Sequence, residues 1–280
     1  MITNLDHVVV LTPDLDAAIA NYTTLFGRAP SWRAQSDGVA TAIFTLRNTS
    51  LELMAPTGDG AAGARVKAAL DAQGEGIASI AFGVDDIAQM HRRLSRLGLE
   101  PEEIVESESR DTVSGKPMAW KRTRAATAKT HGIRMFFLER AAPLALSEAD
   151  AEAPVDALDH IVVATPNPER AAALYGARLG LDMKLDRTVD ALGTRFLFFR
   201  VGGLVFEIIH RVKDGVSDKP DKMFGLTWAV TDLEAAHRRL QQAGVAMSEL
   251  RDGRKPGTRV FTVKSGTHGV PTLMIQQGAR

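Results

Sequence analysis

Leu5-Asp6-His7-Val8-Val9-Val10 returns as Leu158-Asp159-His160-Ile161-Val162-Val163, and this repeat decides the fold. In register with it, Thr12-Pro13, Tyr22 and Gly27 return as Thr165-Pro166, Tyr175 and Gly180. Further on, Val84, Asp86, His91-Arg92-Arg93-Leu94 and Gly98 match Val230, Asp232, His237-Arg238-Arg239-Leu240 and Gly244, and Thr130-His131-Gly132 recurs as Thr267-His268-Gly269. Self-similarity at a fixed spacing marks a duplicated architecture and has to be settled before any motif is interpreted. The chain therefore divides into copies at 1–140 and 157–280, separated by 141–156, an Ala/Glu/Asp/Pro stretch without periodicity that reads as a linker.

Each copy divides again. The β-branched run Leu5 to Leu11 breaks at Thr12-Pro13, after which Leu15, Ile19, Tyr22 and Phe26 recur at helical spacing until Gly27. A second unit opens with Ile77 to Val84, continues through Ile87, Met90, Leu94 and Leu97 on one helical stripe, and stops at Gly98. Short runs of strand character follow the helices: Ala40 to Leu46, Ser50 to Met54, Ile133 to Leu138, Arg195 to Arg200, Leu204 to Ile209, Thr258 to Val263 and Thr272 to Ile275. The expected fold is α+β, four βαβββ modules at about 1–58, 74–140, 157–213 and 222–277.

Composition narrows the function. In 280 residues, 45% are apolar and 24% charged, as in an ordinary globular chain with a core. Lys plus Arg and Asp plus Glu both number 34, so there is no global positive field to attract nucleic acid or an anionic membrane. The absence of cysteine removes disulfides, thiolate nucleophiles and Cys-ligated metal sites. No leader pattern and no bilayer-length apolar run are visible, so a cytoplasmic protein, monomer or homodimer, acting on a small molecule is expected.

The Leu-Asp-His openings, the Pro13 to Ala18 helix start, Leu51-Glu52-Leu53 and Val84-Asp85-Asp86 together resemble the vicinal oxygen chelate superfamily, which includes glyoxalases and bleomycin-resistance proteins, over nearly the whole chain. The resemblance implies modules paired into two glyoxalase-like half-barrel domains whose concave faces hold a ligand, often over a divalent metal. It also implies metal ligands on the first and last strands of each module. Modules one and three supply His7, Glu52, His160 and Glu207. Modules two and four have Ser79 with Phe136, and Gly225 with Leu273, which cannot ligate in that way. Pairing modules one with two, or one with four, leaves two ligands per cavity. Pairing one with three assembles a complete His2Glu2 site. One divalent ion (Zn, Ni, Mn or Fe) and a metal-free pocket are thus the two alternatives.

Glu52 and Glu207 are the candidate catalytic carboxylates. Each lies between two apolar neighbours, so strand alternation turns it to the opposite face. Facing a cavity it suits a general base; facing water it is an ordinary surface Glu. His7 and His160 are ligands or electrostatic partners on one reading and structural histidines on the other. Trp120, Arg124, His131, Arg259 and His268 are candidates for substrate binding at a cavity mouth, with packing, turn or solvated roles as the bland alternatives. His91 and His237 read as surface residues.

Gly58, Gly60 and Gly63 satisfy a dinucleotide-binding spacing ahead of a helical stretch, Ala64 to Gln73. The matching stretch Arg211 to Gly215 lacks the glycines, so the segment reads as a connector. The leading expectation is a glyoxalase-like lyase or isomerase that moves a proton next to a carbonyl. The rival is a metal-free binding or sequestration protein, with ring-cleaving dioxygenase activity behind both.

Overall fold

The computed structural model describes residues 1–278 and contains two eight-stranded mixed sheets. The first sheet runs β2(Trp32–Ser36), β3(Val39–Thr45), β4(Ser50–Pro56), β1(Ile2–Leu11), β5(Gly76–Val84), β8(Met135–Arg140), β7(Pro117–Arg124), β6(Val105–Arg110). The second repeats the order as β10(Asp182–Val189), β11(Thr194–Val201), β12(Leu204–Arg211), β9(Val155–Ala164), β13(Lys222–Val230), β16(Thr272–Gln276), β15(Arg259–Val263), β14(Arg251–Asp252). Modules one and two therefore share one sheet and modules three and four the other. The pairing of one with three, which would have built a His2Glu2 site, does not occur.

The helices α1(Leu15–Phe26), α3(Ile87–Arg96), α4(Pro168–Ala172) and α5(Leu233–Gln242) each follow an opening strand, and α4 runs on as a π-helical segment, Ala173–Arg178. The same device starts all four. Asp14, Asp86, Asn167 and Asp232 sit in extended backbone, and each side chain accepts the N–H three residues ahead. α1 ends at Gly27, which takes the left-handed conformation that glycine adopts without a Cβ penalty.

One core lies between the sheets and includes residues of both halves. Alternation sends Val8 and Val10, Ile80 and Phe82, Leu197 and Phe199, and Trp228 into it. Phe26 meets Trp228 edge to face at 4.7 Å, and Phe82 stacks on Phe206 at 5.5 Å. Each such pair adds about 1 kcal/mol to its burial. The opposite faces, carrying His7 and His160, are concave.

The segment after Arg140 is strapped to module one. Ser147 N–H donates to the Thr45 carbonyl (2.9 Å), Thr45 N–H donates to Ser147 Oγ (3.0 Å), and the Arg28 guanidinium holds the Ser147 and Val155 carbonyls, each at 2.7 Å. Strand β9 already begins at Val155, within the stretch expected to be linker.

The Gly58-to-Gly63 segment leads into α2(Ala61–Gln73), and the structure explains its glycines without a nucleotide. Asp37 places its two carboxylate oxygens on the Ala61 and Ala62 amides at 2.9 and 2.8 Å, so the helix N-terminus already holds an anion from its own chain. A Cβ on Gly60 would lie 2.3 Å from the Asp37 carbonyl oxygen, and one on Gly63 would lie 2.5 Å from that of Gly38. The spacing serves close backbone approach. Val66, Ala62, Ala69 and Leu70 then pack on Val9, Leu11 and Met54, so α2 covers part of the concave face of the first sheet.

Candidate active site

Both concave faces carry the same three-residue chain. In the first sheet His7 Nδ1 is 2.6 Å from Asp6 Oδ1, and His7 Nε2 is 3.3 Å from Glu52 Oε2. In the second, His160 Nδ1 is 2.7 Å from Asp159 Oδ1, and its Nε2 is 3.3 Å from Glu207 Oε2. The parallel registers Val9 to Glu52 and Val162 to Glu207 bring the imidazole of β1 beside the carboxylate of β4, and that of β9 beside that of β12. Glu52 and Glu207 are 17% and 15% exposed, so neither is an ordinary solvated glutamate.

Asp6 and Asp159 fix the imidazoles. Burial alone raises the Asp6 carboxyl, but the His7 hydrogen bond and the Arg140 guanidinium outweigh it and hold it far below the usual carboxylate range. Arg140 grips both oxygens, with Nε and Nη2 at 2.8 and 2.7 Å. At Asp159 burial again raises the carboxyl, but the His160 hydrogen bond and charge outweigh it and lower the pKa; there the outer partner is the Gln277 amide at 2.6 Å. An ionised carboxylate only accepts, so Nδ1 carries the proton in both imidazoles and Nε2 faces the glutamate. Burial, partly offset by His160, pushes Glu207 up.

The surroundings of the two sites differ. Opposite His160 in the antiparallel register stands Thr227, whose Oγ1 is 2.8 Å from Nε2; with Nδ1–H committed to Asp159, the hydroxyl is the donor. Opposite His7 stands Ala81, which has no such group. The first sheet also curls until its edge strands meet: Thr112 N–H donates to the Arg33 carbonyl at 2.8 Å, and Asp111 Oδ1 accepts from the Arg33 N–H at 2.9 Å. Among the described residues no hydrogen bond closes β10 on β14, and that cup stays open.

The registers place Trp120, Arg122 and Arg124 on β7 against Arg140, Leu138 and Phe136, all on the concave side. Arg122 and Arg124 lie over the Phe136 ring at 5.4 and 5.9 Å. Trp120 and Arg124 thus lie on this side of the sheet, Arg124 being anchored to Glu102. In the second sheet the concave side carries Phe196 and Phe198, with Phe198 directly opposite Glu207 and Arg254 above Phe196 at 5.9 Å.

Three expectations need correction. His268 lies at the seam between the halves, where Thr12 Oγ1 (3.2 Å), Glu75 Oε2 (3.1 Å) and Asn21 Nδ2 (3.0 Å) surround its ring. His131 occupies the corresponding seam position, its carbonyl accepting from Asp221 N–H at 2.7 Å, and burial first and Arg170 second lower its pKa. Both adopt left-handed backbone, φ 55° at His131 and 49° at His268, to make the turn, and neither faces a cup. Arg259 shares the strand face of Phe261 and Val263, which turns it toward the helices, where it pairs with Glu234 on α5 at 2.6 Å. His237 is half-buried against Phe261 at 4.9 Å and bonds the Ser248 carbonyl, and His91 is half-buried too, so neither is a surface residue.

His7 and Glu52, like His160 and Glu207, offer two donors per cup; Asp6 and Asp159 are committed to Nδ1; and among the described residues no group of three or more His, Asp or Glu side chains converges. The matched positions in the partner modules hold Phe136 and Leu273, which have no donor atom. Two ligands do not make a durable divalent site, and the residues present do not fit one.

Comparison with known proteins agrees with this architecture. Residues 5–157 match the model of a glyoxalase-like domain, and residues 159–262 match that of the glyoxalase/bleomycin resistance protein/dioxygenase superfamily. The chain belongs to this superfamily, in a tandem form. It is 35% identical over 120 residues to an ethylmalonyl-CoA/methylmalonyl-CoA epimerase of Cereibacter sphaeroides, a match covering 42% of this chain and 87% of that one. A variant of 4-hydroxymandelate synthase from Streptomyces coelicolor superposes with a TM-score of 0.72 at 17% identity, over 100% of this chain and 94% of that one. A Mn(II)-bound glyoxalase from Novosphingobium aromaticivorans gives 0.66 at 14%, over 99% and 83%. At such identities the structural likenesses speak for the fold alone. Among the described residues no helix is long and apolar enough to cross a membrane.

Proposed function

We propose that this protein is an enzyme that removes and returns a proton on a carbon next to a carbonyl, and that the first sheet carries the chemistry. The observation behind the reading is the ordered chain Arg140, Asp6, His7, Glu52 inside a nearly closed barrel roofed by α2. In this reading Glu52 takes the proton: the C–H bond breaks, its electron pair enters the enolate, and negative charge gathers on the carbonyl oxygen. The proton on Glu52 can then cross 3.3 Å to Nε2 of His7, which Asp6 holds in the tautomer able to accept it. Arg122, within electrostatic reach of Glu52, supplies positive charge for the oxygen without a metal ion. The 35% identity to the epimerase supports a reaction of the proton-moving kind.

The test is hydrogen exchange of a carbon acid in D2O. Methylmalonyl-CoA incubated with the protein is expected to lose its C2 proton signal, with Glu52→Gln abolishing the loss and a chelator leaving it unchanged. No exchange with the wild-type protein removes this substrate; full exchange by Glu52→Gln removes the mechanism. A second reading, a ligand-holding cup without chemistry, fits the second sheet, where Thr227 occupies His160 Nε2 and Phe196 and Phe198 line an open face.

A further inference from the structure

Arg122 and Arg134 are charges whose purpose the fold does not supply. Both are half-buried, yet among the described residues neither guanidinium makes a hydrogen bond or an ion pair, and Arg134 Nε is shielded from solvent with no partner. Several other half-buried arginines in the molecule are anchored by their guanidinium: Arg140 on Asp6, Arg170 on Asp221, Arg28 and Arg239 on backbone carbonyls. A guanidinium taken from water and left unpaired is destabilising, so a site that keeps two of them is built for a ligand that completes them.

Their placement agrees. Arg122 and Arg124 share a face of β7 and lie over Phe136, and Arg134, immediately before β8 and two residues ahead of Phe136, lies within electrostatic reach of Arg124, which groups all three at the concave side of the first sheet. Glu102 occupies Arg124 and leaves the other two open. Arg65, exposed on α2 and likewise without a polar partner among the described residues, lies within electrostatic reach of both. The matched positions in the second half are Val260 for Arg122, Thr262 for Arg124 and Pro271 for Arg134, so the cluster is not a shared requirement of the fold.

We propose that the first-sheet cavity is a binding site for a small molecule bearing a carboxylate or phosphate group, which Arg122 and Arg134 grip from the wall and Arg65 covers from α2. A planar guanidinium matches either group with two parallel hydrogen bonds, and charge-assisted bonds of this kind are stronger than neutral ones. This proposal names the substrate class of the proton-transfer reading and rests on it only for what the anion belongs to.

Isothermal titration of the full chain with malonate and, separately, with inorganic phosphate tests it. At least one is expected to bind, with affinity falling about tenfold or more in Arg122→Gln and in Arg134→Gln and partly restored by Arg134→Lys. Glu52→Gln removes a negative charge beside the ligand and is expected to tighten anion binding while abolishing exchange, a split that a merely structural role of the arginines would not produce. If only malonate binds, the group is a carboxylate; if only phosphate binds, it is a phosphate ester. No binding of either anion by a folded wild-type protein overturns the proposal, and so does unchanged affinity in folded Arg122→Gln/Arg134→Gln. Anion binding without exchange overturns the catalytic reading alone.

Discussion

The two cups hold the same Asp-His-Glu chain and differ in nearly everything around it. Around Glu52 the sheet closes on itself, a helix covers it, arginines line one wall, and the outer partner of Asp6 is the charged Arg140. Around Glu207 the sheet is open, phenylalanines line the wall, a threonine fills the imidazole's free nitrogen, and Gln277 stands at the position matching Arg140. Duplication preserved the constellation, and the surroundings determine what each copy can do.

The comparison breaks most decisively through the two glutamates. Glu52→Gln is expected to slow C2 exchange by about a hundredfold or more, the scale of a lost general base, while Glu207→Gln leaves it within about threefold. The opposite ranking, measured by NMR under the same conditions, would move the chemistry to the second sheet. Next in size are the two aspartates. Asp6→Asn leaves the Arg140 guanidinium buried without its counter-charge and is expected to lower stability by about 3 kcal/mol in urea titration. Asp159→Asn disturbs a neutral amide partner and should lower it by about 1 kcal/mol.

A smaller effect comes from importing the second cup's hydroxyl into the first. Ala81→Ser, opposite His7, would offer Nε2 the donor that Thr227 gives His160, and exchange should drop by about tenfold with the fold intact. An unchanged rate would mean that Nε2 is not used. The smallest effect is one of pH. Burial raises Glu207, so its contribution to stability is fully present below the ordinary glutamate value of 4.5 and is lost as pH rises through its native value. Glu207→Gln should therefore melt higher than wild type at pH 7, with the gain shrinking toward pH 4. Asp6 works in the other direction. Its pKa is depressed, so its contribution is present above the ordinary aspartate value of 3.8 and is lost as pH falls through the native value far below.

The repeated opening strands, the capped helices and the His/Glu pairs were legible because each is written in neighbouring residues and then written twice. Several outer strands were not: β2, β6, β7, β10 and β14 are polar or charged, and β10 is exposed along nearly its whole length, so no alternation marks them. The helix α2 was foreseen only from Ala64, since its first turn depends on Asp37, far away in sequence. Asp6 and Asp159 were visible in the repeat beside their histidines, and this recurrence could have marked them as partners of the imidazole. Arg122, Arg140 and Thr227 could not be assigned, because only strand register brings them to the site, and Arg134 is carried there by the strand that follows it. The turn histidines were misplaced for a related reason: nothing local distinguishes a turn at a cup's rim from one wedged between two halves.

That wedge has a consequence for taking the protein apart. Phe26 rests on Trp228, Phe82 on Phe206, and His268 reaches Thr12 and Glu75, so each half completes the other's interior. Expressed alone, either half would present a greasy surface to water and would stay in solution only by finding a mate. The duplication is thus no longer reversible by simple scission: two tethered copies have become one obligate partnership, and selection could reshape one cup while the other went on holding it upright.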